Sequence, residues 1–213
     1  MERYNHLTIE GNIGSGKTSL SKMISERFNA KLVLEEFDEN PFLPKFYEKP
    51  DKYAFPLELS FLAERYHQLK NAASGPGLFH SMTVSDYFIG KSLIFAKNNL
   101  DEDELKLFNN IFEIMFSSLP KPDLIVYLHV GIERLHQNIK KRGRSYENSI
   151  KSDYLEGINA GYVDFFKKLT DTKVLILDLE QINFVEKKEH FDRIIDVIDR
   201  EYSVGMHFES LVE

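Results

Sequence analysis

Gly11-Asn12-Ile13-Gly14-Ser15-Gly16-Lys17-Thr18 stands directly behind the short β-like run His6-Leu7-Thr8-Ile9-Glu10 and ahead of an amphipathic stretch. The spacing is GxxxxGK[ST]. Strand, glycine-rich loop, Lys-Thr and helix follow one another in the order that distinguishes a phosphate cradle from a merely permissive glycine turn. In such a loop successive backbone N–H groups point into one concavity, and the N-terminus of the next helix adds partial positive charge. Lys17 is expected to reach the β- and γ-phosphates, and Thr18 to ligate Mg²⁺. Leu20, Met23, Ile24 and Phe28 then form one apolar stripe, which would pack the helix on a sheet and hold the loop still. The motif by itself specifies binding of a nucleoside triphosphate and no reaction.

The remaining composition narrows the class. A chain of 213 residues, 42% hydrophobic, suits one domain spanning 1–213 and is short for two. A formal charge of -7 argues against an extended nucleic-acid surface, which needs a basic stripe to displace counterions. Cysteine is absent, so neither disulfides nor a thiolate metal site can form. No signal-like stretch and no apolar run near the roughly 20 residues of a membrane span is present. The expectation is a cytoplasmic protein with no membrane and no nucleic-acid partner.

Along the chain, strand-like runs alternate with helical patterns. Lys31 to Phe37 turns acidic at Glu35 and Glu36, as a central parallel strand does where it faces a site. Residues 38–51, with three prolines, read as loop and short helical turns, and a helix is expected from Leu57 to about Ala72. Ser74-Gly75-Pro76-Gly77 breaks the chain before a strand over Met82 to Tyr87 that ends in Asp86. Asp101 and Glu104 look like a cap and its partner for a helix through Leu105, Phe108, Ile111, Phe112 and Met115, closed by Pro120 and Pro122. Asp123 to Val130 suits a strand covered on both faces. Helices through Ile132 to Ile139 and Ser152 to Leu169, a last strand at Lys173 to Leu179, and a helix through Phe191, Ile194, Ile195 and Ile198 complete the pattern. It predicts an α/β fold: a parallel, doubly wound sheet of about five strands flanked by helices, with ligands at its carboxyl edge.

Phosphoryl transfer to a hydroxyl needs a positioned Mg-nucleotide, an acceptor site, a carboxylate and cations over the developing charge. Glu35, Asp86 and the cluster Lys140-Lys141-Arg142-Gly143-Arg144 stand where those parts belong. A basic turn capping a helix end would leave the same cluster. Together with GNIGSGKT, the acid before ENPF, FYEKPDKYAFPLE, IFAKNNL and KKRGRSYE, spaced as they are over most of the chain, these features resemble the deoxyribonucleoside kinases, and more closely their bacterial purine-specific branch.

The resemblance implies a P-loop kinase fold with an arginine-rich lid at about 140–152, ATP and Mg²⁺ as cofactors, a deoxynucleoside substrate and a homodimer. It implies that Glu35 takes the proton of the nucleoside 5'-hydroxyl and that Tyr47 and Glu147 grip the sugar 3'-hydroxyl. Arg142 and Arg144 match the lid arginines over the phosphates, and Gly11 to Thr18 is the nucleotide loop. Helix Leu105 to Met115 could supply the dimer face or could be core. Two departures stand out. Glu36 sits where relatives often carry proline, and Asp86-Tyr87 replaces an acid-arginine pair; Asp86 is still expected on Mg²⁺, and Lys91 is a candidate for the missing arginine's contact.

The base pocket carries the informative difference. Glu58 and Arg65, seven apart, share nearly one line of a helix; on spacing alone that is ordinarily a solvated charged face. Many relatives have glutamine at the first position. An ionised glutamate only accepts, and guanine offers two adjacent donors, while its 6-oxo and N7 acceptors suit arginine. Deoxyguanosine is therefore the expected acceptor, with a deoxyadenosine or broad-specificity kinase as the alternative. Phe95 is placed either against the base or in the core. A nucleoside monophosphate kinase would want arginines for its acceptor's phosphate, and Asp86-Tyr87 counts against it. A GTP switch or other non-catalytic nucleotide sensor lacks an NKxD-like segment and leaves Glu35 unexplained.

Overall fold

In the computed structural model, residues 1, 3–36, 40–72, 77, 79–116, 119, 121 to 211 are described, with only the backbone of residue 72. Six parallel strands form one sheet in the order β2-β3-β1-β4-β5-β6. They are β1 (His6–Gly11), β2 (Lys31–Val33), β3 (Thr83–Ser85), β4 (Leu124–His129), β5 (Lys173–Asp178) and β6 (Gly205–Ser210). The helices are α1 (Lys17–Phe28), α2 (Leu43–Glu48), α3 (Pro50–Ala72), α4 (Lys91–Asn99), α5 (Glu102–Phe116), α6 (Ile132–Arg142), α7 (Ser152–Phe166) and α8 (Lys188–Ile198).

Strand periodicity decides which helix covers which face. Along β4, Val126 and Leu128 join a core with Leu20 and Ile24 of α1 and Ile194 and Ile198 of α8. Ile125 and Tyr127 point the other way, into a core with Ile158, Tyr162 and Phe166 of α7. Apolar residues on both faces thus demand helices on both faces. A third cluster, Leu62 and Leu69 of α3 with Phe108 and Phe112 of α5, lies beside the carboxyl ends of β2 and β3. The cap on α5 forms as its sequence suggests, the Glu104 amide donating to Asp101 Oδ1 at 2.9 Å. Among the described residues no helix is long and apolar enough to cross a membrane.

Four expectations change. The sheet has six strands, not about five, and the strand over 173–178 is not the last. β6 pairs with β5 along six residues through its backbone, while Met206 and Phe208 are exposed, so its apolar residues do not mark a buried face. β2 is an edge strand of three residues rather than a central one, and Leu34, Glu35 and Glu36 continue past the ladder. α3 starts at Pro50 and runs through Pro56 instead of beginning at Leu57. Packing of Phe46 of α2 against Ala54, Leu57 and Phe61 offsets the backbone bond that the proline removes. The helix from Ser152 stops at Phe166, short of Leu169. Phe37, most of the Ser74 to Gly77 breaker and Pro120 lie outside the described residues.

Candidate active site

The phosphate loop leaves the carboxyl end of β1 and bends through positive φ at Gly14 (+82°) and Gly16 (+96°). A Cβ on Gly14 would also meet the Leu135 carbonyl oxygen at 2.9 Å, so the loop presses directly on α6. Its amides at Gly11, Ile13 and Ser15 are used internally, on Glu10 Oε2, Asn12 Oδ1 and the Asn12 carbonyl. The Asn12 side chain in turn donates to the Leu155 carbonyl and to Asn159 Oδ1 of α7, both at 2.7 Å. α1 has no acidic residue in its first turn, which leaves its N-terminal charge for an anion. Lys17 Nζ rests on the Asn12 carbonyl at 2.9 Å; burial and then Lys91 push its pKa down to about 8.

Two cavities meet at this loop. The larger, about 670 Å³, is walled by Gly14 to Ser19, the inner face of α6 and the loop after β5. That wall is braced by Arg134, whose guanidinium donates to the Leu179, Glu180 and Ile182 carbonyls, and by the Asn183 amide donating to His190 Nδ1 at 2.9 Å. The second cavity collects Glu35, Tyr47, Glu58, Arg65, Phe95 and Glu147. Lys17, Thr18, Arg142 and Arg144 line both, so the loop and the basic segment stand where two ligands would meet.

Glu35 lies where β2 has left the ladder. Arg65 donates to its Oε1 from Nε (2.8 Å) and Nη2 (2.7 Å), and Lys91 to its Oε2 at 2.5 Å. Burial would raise this carboxyl, but Lys91 and Arg65 outweigh it and hold it well below the usual carboxylate range. Asp86 accepts from Thr18 Oγ1 at 2.6 Å and from the Glu35 amide at 2.7 Å. Burial raises its pKa. Thr18 and Asp86 therefore present adjacent oxygens beside the cradle, a donor set that suits a hard cation completed by phosphate oxygens and water.

Glu58 and Arg65 are not a solvated face: their exposures are 1% and 3%. Asn99 Nδ2 donates to Glu58 Oε1 at 2.7 Å, and among the described residues Glu58 Oε2 has no hydrogen-bond partner. Burial, opposed by Arg65 and Asn99, pushes this carboxyl up to about 7. Arg65 is engaged differently from the sequence expectation. Besides Glu35 it reaches Ser92 Oγ at 2.8 Å, which leaves one N–H on each terminal nitrogen for a base. Phe95 lines the cavity and packs on the core. Arg142 holds Glu147 through Nη2 and Nε, and Arg144 reaches the same carboxylate at 3.4 Å. Tyr47 stacks on Tyr146 with centroids 5.9 Å apart.

A family model for deoxynucleoside kinases matches residues 7–202. The chain belongs to the deoxynucleoside kinase family. It is 35% identical over 192 residues to a deoxyguanosine kinase of Bacillus subtilis, spanning 88% of this chain and 93% of the relative. Identity to the deoxyadenosine/deoxycytidine kinase of the same organism is 31% over 200 residues, 90% of each chain. Among solved structures, that of a deoxyadenosine kinase from M. mycoides with bound dATP superposes with a TM-score of 0.78 at 26% identity, covering 92% of this chain and all of that one. This chain is accordingly an ATP-dependent deoxynucleoside kinase with a P-loop kinase fold.

Several residues of this kinase that shape the cavities escaped the sequence reading. Glu10 is fully buried; it accepts from the Gly11 amide, the Phe88 amide (2.9 Å) and the Tyr162 hydroxyl (2.7 Å). Its position as a lone acid ending an apolar strand was the available signal. Asn99 sits in a segment already singled out and Ser92 just before it, but nothing in helical spacing says which polar side chain turns inward. Arg134 and Tyr154 offered no signal beyond helix periodicity.

Proposed function

We propose that this kinase transfers the γ-phosphoryl group of ATP to the 5'-hydroxyl of a purine deoxyribonucleoside, preferring deoxyguanosine, in deoxynucleotide salvage in the cytoplasm. The observation that carries the base preference is the orphaned, buried Oε2 of Glu58 in the same cavity as Glu35. Ionised, it accepts from guanine's N1–H and 2-amino group, and the remaining Arg65 N–H groups suit the 6-oxo oxygen. Facing adenine's N1 lone pair instead would cost about 1 to 3 kcal/mol, roughly tenfold to a hundredfold in discrimination.

In this reading the larger cavity takes ATP, with its phosphates on Gly11 to Thr18 and under Lys17, Arg142 and Arg144. The 5' oxygen bonds to the γ-phosphorus as the bond to the bridging oxygen breaks, giving ADP and a nucleoside 5'-monophosphate, and Glu35 receives the hydroxyl proton. A carboxylate so well paired is a weak base, so its main work is to orient the hydroxyl; a loose transition state asks for the proton late. Thr18 and Asp86 would hold Mg²⁺, which neutralises charge on the β- and γ-phosphates. Lys91 supplies the cation that Tyr87 cannot. Tyr47 and Glu147 meet the 3'-hydroxyl, and Arg142 exchanges Glu147 for phosphate as the segment at 140–152 closes as a lid. Homodimer formation belongs to the same reading: Leu107 and Ile114 of α5 are 51% and 77% exposed while Phe108 and Phe112 bury its other side.

Initial rates with ATP and Mg²⁺ on the four common deoxynucleosides test the assignment, with deoxyguanosine expected to lead. Glu58→Gln should move the preference toward deoxyadenosine by at least tenfold. An unchanged preference would remove Glu58 as the base reader.

A further inference from the structure

The two oxygens of Glu58 are inequivalent. Oε1 is committed to the Asn99 amide, and Oε2 is buried without a partner among the described residues, on a side chain that lines the acceptor cavity. Arg65, the cation on the same helix, is turned away to Glu35 and Ser92 and does not fix Glu58 as an anion by direct pairing. Asn99 donates to Oε1, so a proton taken up by the carboxyl has one place to go, Oε2.

Resting on the acceptor site proposed above, we infer that Glu58 and Asn99 form a reversible reader of the purine 1-position, which selects guanine as a carboxylate and adenine as a carboxylic acid, so that the preferred acceptor changes with pH. As a carboxylate, Glu58 accepts from guanine's N1–H and 2-amino group. As an acid, its Oε2–H donates to adenine's N1 while Oε1, which keeps a second lone pair beside the Asn99 bond, accepts from the 6-amino group. Each base meets the carboxyl in one protonation state and is refused by the other, because the mismatched state sets lone pair against lone pair or donor against donor.

The carboxyl titrates close to neutrality because burial raises it to about 7. The groups round it behave otherwise. Glu35, beyond β2, is held well below the carboxylate range, Arg65 on α3 is raised by Glu35, and Tyr154 on α7 and Tyr47 on α2 are held above the usual phenol range by burial. Lys91 and Asn99 face it from α4, and Arg142, Arg144 and Glu147 close the cavity from the lid side. Lys17 of α1, pushed down to about 8, also lines the cavity, but it belongs to the phosphate loop and acts alike on both nucleosides, so a proton linked to base choice is assigned to Glu58. The sign is fixed: rising pH ionises Glu58 and favours guanine, falling pH protonates it and favours adenine.

The test compares kcat/KM for deoxyguanosine and deoxyadenosine between pH 6 and pH 8, since a ratio cancels ionisations common to both. The ratio should rise by up to about tenfold per pH unit, and Glu58→Gln should flatten it. Calorimetric titration of the enzyme with each nucleoside near pH 7, in buffers of different ionisation enthalpy, gives a second readout. Deoxyguanosine should release a proton and deoxyadenosine should take one up, and both exchanges should vanish in Glu58→Gln. A ratio independent of pH in an enzyme that phosphorylates both nucleosides, or proton exchange of one sign for both, would overturn the reader and leave the acceptor site standing. Binding of neither nucleoside would overturn the acceptor site and the reader together.

Discussion

At the scale of single residues, the acceptor side is organised by competition for a few buried carboxylates. Glu35 has two cations, Glu147 has Arg142 and Arg144, Asp86 has a hydroxyl and an amide, and of these four Glu58 is the one with an oxygen unpaired among the described residues. The contrast is chemical: the first three carboxylates are paired within the protein, and the fourth is the one that the proposed function uses to read the base. Lys91 is the informative case. Asp86-Tyr87 stands in place of an acid-arginine pair, and Tyr87 hydrogen-bonds Gln68 at 2.5 Å, yet a cation still reaches Glu35 from Lys91, the first residue of α4. Replacing Lys91 by Met should lower kcat about a hundredfold. It should also move the acidic limb of the pH–rate profile upward, because Glu35 loses the partner that most depresses its pKa and must be ionised to act. A profile with an unmoved acid limb would show that Lys91 does not govern Glu35.

At the scale of elements, the larger cavity depends on a loop with little structure of its own. The segment after β5 takes its shape from Arg134 of α6, one side chain that satisfies three carbonyls. Arg134→Ala should raise KM for ATP about tenfold while the deoxynucleoside KM stays within twofold; equal changes in both would mean that the loop serves folding alone. The elements themselves were legible where burial and periodicity coincide. β4, α6 and α8 follow the sequence reading closely because each has a well-marked apolar side. β6 was invisible because an edge strand is held by its backbone, and its alternating Met206 and Phe208 face solvent. The start of α3 was misjudged because Pro56 looks like a stop until α2 packs over it. The site followed the same rule: residues in a spaced motif, such as Lys17 and Thr18, could be found, whereas Asn99, Ser92 and Arg134 act through tertiary proximity that no local pattern encodes.

At the scale of the whole molecule, the surface and the interior make separate statements. α5 shows an apolar side beyond its buried one, and a dimer assembled on that side should dissociate when Leu107 is replaced by Glu. Sedimentation velocity would read this directly; a variant that sediments as the parent does would place the contact elsewhere. In the interior, the buried carboxylate of Glu10 joins the start of the phosphate loop, the connection between β3 and α4, and α7. Such a rivet ties the phosphate loop to the frame, while the side chains proposed to read the nucleobase, Glu58 and Asn99, hang from α3 and α4. On the proposed reading, a lineage that exchanges Glu58 and its neighbours drifts from one nucleobase to another without retuning the loop that holds the phosphates.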